Sequence, residues 1–137
     1  MSIIGFNFSK INVQKNKGVE GKININNNVS ITNVEEAKLS LSKSSQKGLK
    51  FNFSFITEYE PKLGTINLEG DILVLEEAEK ADKILESWKK DKSMPKEIMV
   101  SLLNTVLNKC NIQALILSQL VNLPPPIQLP KVKAETK

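Results

Sequence analysis

The chain has 137 residues, of which 40% are apolar and 25% charged, proportions that exclude wholesale disorder and fit one globular domain. Its net charge of +4 is carried by lysine alone, interleaved with 15 acids. Without arginine there is no bidentate reader of phosphate or guanine, which argues against nucleic acid as a partner.

The first eight residues show no basic stretch leading a continuous apolar run, so no signal peptide is expected there. Ile4, Phe6 and Phe8 alternate with small or polar residues, and Ile11 and Val13 continue one residue out of phase. That slip predicts a strand with a bulge near Ser9-Lys10. Gly18 and Gly21 mark a turn. Their spacing superficially matches the GxxG loop of KH domains, but flanking strands and Glu20 favour the turn. Ile23, Ile25, Val29 and Ile31 share one parity, opposite Asn24, Asn26, Asn28, Ser30 and Thr32. This is either one long strand or a hairpin folding at Asn26-Asn27-Asn28. Residues 42–48 read as a polar loop.

Leu49, Phe51, Phe53 and Phe55 then occupy one face, against Lys50, Asn52 and Ser54 on the other. Pro61-Lys62-Leu63-Gly64 supplies a turn, and Ile66, Leu68, Ile72 and Val74 return. The pair predicts a hairpin with one buried face, and Gly70 inside its second strand predicts a bulge or a close backbone approach. Over residues 77–90, Ala78, Ala81, Ile84, Leu85 and Trp88 recur at steps of three and four, the stripe of an amphipathic helix. A cap is expected at Ser93 or Met94, with Pro95 in the first turn of a second helix. That helix should run to about Asn122, where Pro124-Pro125-Pro126 stops it, a length of roughly 40 Å. Strands followed by helices make an α+β chain. We expect one domain over residues 1–130 and a short polar, flexible tail over 131–137. Residues 110–130 are uncharged, but their dense apolar part spans about 12 residues, short of the roughly 17–25 of a membrane span. A location in the cytoplasm is therefore expected.

The inventory for catalysis is poor. No histidine is present, so the commonest general base and the commonest metal ligand are both missing. The single cysteine, Cys110, falls mid-helix among Val106, Leu107 and Ala114 and reads as a packed thiol, with no disulfide partner. Glu58 and Glu60 share a strand face and read as solvated. No GxxxxGK[ST] phosphate loop occurs. The expectation is a binding protein without a cofactor or metal, not an enzyme.

Three features point to what binds. Phe51, Phe53 and Phe55 concentrate aromatic surface in one strand. Ile112, Ala114, Leu115, Ile116, Leu117, Leu120 and Val121 leave the end of the long helix apolar all round, more than one small sheet covers. Residues 123–130 are extended and apolar, either a polyproline recognition segment or, preferably, a strap along the domain itself. Accordingly a homo-oligomer is expected through Leu103, Val106, Cys110, Leu117 and Leu120. An exposed apolar binding surface is expected at Phe51, Phe53, Phe55, Trp88, Leu123, Ile127 and Leu129, which the family resemblance given below assigns to unfolded polypeptide clients. An adaptor for one specific partner and a carrier of a small apolar ligand are the competing readings.

The order of these elements resembles the SecB family of export chaperones. Residues 49–75 look like that family's third and fourth strands, with Gly70-Asp71-Ile72 where a glycine-rich kink is frequent. Residues 95–109 look like the start of its long helix, and 123–132 are similar to its apolar, proline-containing stretch. The resemblance implies an antiparallel four-stranded sheet followed by a short and a long helix, assembled as a dimer or tetramer. It also implies an ATP-independent holdase whose apolar grooves take unfolded chains. One departure stands out: the family is typically acidic and this chain is basic, which puts docking onto a secretory ATPase in doubt.

Overall fold

The computed structural model describes residues 2–17, 21–38 and 45–132. Four strands, β1 (Ser2–Lys15), β2 (Asn24–Ala37), β3 (Gln46–Glu60) and β4 (Gly64–Glu77), precede two helices, α1 (Ala78–Asp91) and α2 (Lys96–Leu120). The strands form one antiparallel sheet in the order β1-β4-β3-β2, so β1 and β2 are its edges. The α+β architecture expected above, a four-stranded antiparallel sheet followed by a short and a long helix, is the one observed.

Period-two alternation puts Leu49, Phe51, Phe53, Phe55 and Tyr59 of β3 on one sheet face, with Ile66, Leu68, Ile72 and Val74 of β4 opposite them. The two helices lie across this face, over β2, β3 and β4. Helix α1 buries Ala81, Ile84 and Trp88; α2 buries Leu102, Val106, Cys110, Ala114, Leu117 and Ser118, one narrow stripe along a rod of about 37 Å. Burying an aliphatic or aromatic side chain contributes about 1.5–3 kcal/mol, so this layer dominates stability. Lys47 of β3 joins Asp82 of α1 at 2.7 Å and Glu36 of β2 at 3.6 Å, tying three elements together at the surface.

The bulge expected near Ser9-Lys10 is present, since Phe8 pairs with Gly70 and Lys10 with the adjacent Glu69. Gly70 is where the backbones close up: a Cβ there would lie 2.0 Å from the Asn7 carbonyl oxygen and 2.7 Å from the Phe53 ring. A second shift falls between Ile3 and Gly5. Residues Asn26, Asn27 and Asn28 pair with Glu58, Thr57 and Ile56, which makes β2 one long strand and not a hairpin. A register shift between Ile31 and Asn33 lets both Ile31 and Val34 turn inward.

Other expectations need correction. Gln46, Lys47 and Gly48, assigned to a polar loop, already belong to β3 and pair with Glu77, Glu76 and Leu75. Residues 39–44, and Gly18 of the GxxG match, lie outside the described residues. Neither Ser93 nor Met94 caps α2; Pro95 holds the cap position with no side-chain bond. Proline is tolerated there because the first N–H groups of a helix lack partners anyway. The helix stops at Leu120, and Asn122 turns the chain with φ 59°. Among the described residues, no helix is long and apolar enough to cross a membrane.

Candidate binding surface

Helix α2 has two flanks beyond the stripe it buries. Lys109 Nζ sits 6.0 Å from the centre of the Phe6 ring, so the flank carrying Lys109 turns toward β1. At about 100° per residue, Ile112, Ile116 and Leu120 fall within about 60° of Lys109. They are 56%, 49% and 71% exposed. Across from them the β1 edge shows Ile3 and Ile11, also exposed, and half-buried Phe6 and Phe8, whose rings pack on Phe53. The result is an uncovered apolar tract beside an unpaired strand edge.

The opposite flank, about 160° round from Lys109, carries Leu107 and Asn111 and turns toward β2. Leu103 and Leu107 are half-buried there, as are Ile23, Ile25 and Val29 along the β2 edge. Among the described residues, Asn111 Oδ1 is buried without a hydrogen-bond partner. A second groove therefore runs between α2 and the other open edge.

Residues 123–130 close one end of this groove as a strap. The Leu123 N–H donates to the Ser118 carbonyl at 2.8 Å, and the Leu123 side chain is buried against Gly64. The Tyr59 hydroxyl donates to the Pro124 carbonyl at 2.6 Å. Asn27 Nδ2 donates to the Pro126 carbonyl at 2.9 Å, and Asn27 Oδ1 accepts from the Thr57 hydroxyl at 2.6 Å. Three prolines in a row have no N–H to give, so side chains of β2 and β3 hold the strap by its carbonyls. Past Pro126 the hold loosens: Ile127 is half-buried and Leu129 is 42% exposed.

Several residues expected at a binding surface are elsewhere. Phe51, Phe53, Phe55 and Leu123 are core, and Trp88 is 9% exposed, because the helices cover that face of the sheet over β2, β3 and β4. Of the expected client residues, Ile127 and Leu129 alone remain reachable. Val106, Cys110 and Leu117 are buried against their own sheet, so they cannot also face a second subunit; Leu103 is half-buried and Leu120 stands open. Ile112 and Ile116 were recognisable as apolar, but which flank the sheet would cover was not. Asn27 and Tyr59 went unrecognised. Their signal was parity: Asn27 shares the face of Ile25 and Val29, and Tyr59 continues the row of Phe51, Phe53 and Phe55.

The buried titratable groups beside this surface are neutral. Burial pushes the Cys110 thiol and the Tyr59 phenol up, each to about 12, which keeps both protonated at ordinary pH. A protonated, enclosed thiol is not a nucleophile. Among the described residues, no group of three or more His, Cys, Asp or Glu side chains is placed to hold a metal ion.

No family model matches the chain, and no curated protein does. Among solved structures, it is similar to a SecB-like chaperone of Mycobacterium tuberculosis in complex with a ChAD peptide from the HigA1 antitoxin. The superposition has a TM-score of 0.52 at 8% identity and covers 98% of this chain and 92% of the other. The resemblance drawn from the order of elements is thus borne out at the level of the fold.

Proposed function

On this SecB-like fold, we propose that the chain is an ATP-independent holdase, a homo-oligomeric cytoplasmic chaperone that binds non-native polypeptide and catalyses no reaction. The observation that carries the reading is the apolar surface on either side of α2, uncovered toward β1 and half-buried toward β2, each tract beside an edge strand of the sheet. An extended chain adds to such an edge through its backbone and places alternate side chains in the groove, which gives affinity with little sequence selectivity. One tract suffices for clients. The β1 tract, with Ile11, Ile112, Ile116 and Leu120, suits a second copy, because a self-complementary apolar face beside an edge closes symmetrically.

The test combines light scattering with suppression of aggregation for several unrelated clients. The parent should scatter as a multiple of its 15.3 kDa chain, and Ile112→Lys with Ile116→Lys should return it to one chain with its melting curve preserved. An unchanged mass in that variant would place the interface elsewhere. Protection of one partner alone, with unrelated clients aggregating freely, would favour a dedicated adaptor. The antitoxin peptide held by the mycobacterial protein supports that second reading.

A further inference from the structure

The strap is an odd piece of packing. Its carbonyls at Pro124 and Pro126 are both satisfied by fixed side-chain donors, while residues 124–126 have no N–H to donate in return. Donors matched to carbonyls two residues apart suit any extended backbone, since alternate groups of an extended chain point the same way. Neither Tyr59 nor Asn27 reads a side chain. Thr57, by donating to Asn27 Oδ1, fixes the amide so that Nδ2 faces outward to the carbonyl.

We propose that the seat of residues 123–130 is a binding site for extended apolar polypeptide, with Tyr59 and Asn27 as carbonyl-reading donors and the strap as its resident occupant. This deepens the holdase reading and rests on it. A client chain supplies the same carbonyls and, unlike the three prolines, also an N–H at each of those positions. The strap competes by being tethered, which keeps its effective concentration high. It also competes by being stiff, because three prolines reduce the entropy lost on docking. Its free end, from Ile127 to Leu129, is where displacement begins.

The experiment uses the full chain with a nitroxide on Leu129→Cys; Cys110 is buried and stays unlabelled. The probe is reduced, carboxymethylated α-lactalbumin, which cannot refold. Saturating client should narrow the nitroxide spectrum as the strap leaves its seat. Pro125→Gly with Pro126→Gly, which weakens the occupant and leaves the seat intact, should tighten client binding by about fivefold. Client that binds without moving the label overturns the proposal and leaves the holdase reading standing, as does an unchanged Kd in the glycine variant. No client binding by parent or variant overturns the holdase reading itself, and the strap proposal with it.

Discussion

Replacing Gly70 with alanine should unfold much of the β1 edge and lower stability by about 3 kcal/mol, the upper end of the range for an overpacked core. The added methyl would meet the Asn7 carbonyl oxygen at 2.0 Å and the Phe53 ring at 2.7 Å. The ring sits in a stack, with Phe6 5.0 Å away and Phe8 edge-on at 6.0 Å, so it has little room to retreat. The carbonyl belongs to backbone held by the bulge and cannot move without breaking pairing between β1 and β4. Denaturant melting followed by Trp88 emission gives the loss, and hydrogen exchange gives its location. If the variant retains parental stability and slow exchange over β1, the close approach is not what the bulge is built around.

Raising the pH from 9 to 12 should remove stability on the order of 4–6 kcal/mol through two groups, Cys110 and Tyr59. Each is buried, and each has its pKa raised to about 12, from 9.0 for the thiol and 10.0 for the phenol. In the unfolded chain both ionise earlier, so over this window the unfolded state holds fewer protons and rising pH favours it. The contribution is complete below pH 9 and exhausted as pH passes 12. Tyr59 is the sole tyrosine, so absorbance at the phenolate band follows its proton directly. That signal should rise near 12 in the folded protein and near 10 in denaturant. Cys110→Ala and Tyr59→Phe should each flatten part of the decline. A phenolate signal near 10 under native conditions would mean that solvent reaches the Tyr59 seat.

Much of the fold is legible in the sequence, because the core of each element is coded at short range. The alternation of Phe51, Phe53 and Phe55 marks β3, the phase slip after Phe8 marks the bulge, and Gly70 marks the crossing opposite it. The stripe of Ala81, Ile84 and Trp88 marks α1. Surface was harder to read than core. A helix apolar all round does not announce which flank a sheet will cover, and so Val106, Cys110 and Leu117, expected at an oligomer interface, pack against their own sheet instead. The strap's bonds join residues 65 and 99 positions apart, a separation at which no local pattern operates. The rings of β3 were legible as a row but not as covered, since coverage depends on where two helices land.

The strand order has a consequence in time. Neighbours β2, β3 and β4 follow one another along the chain, so each pairs as soon as the next is available. Strand β1 must wait, because its nearest paired residues, Lys15 and Gly64, stand 49 positions apart. Closing such a span costs about 2 kcal/mol more entropy than closing the short turn between β3 and β4. During synthesis β1 emerges before β4 and pairs only after β4 has cleared the exit, and until then Phe6, Phe8 and Ile11 travel without cover. Pulse-labelled refolding should show the amides of Phe6 and Phe8 gaining protection after those of Phe53 and Phe55. Of the four strands, β1 therefore spends longest with its apolar face uncovered and its pairing groups unmatched.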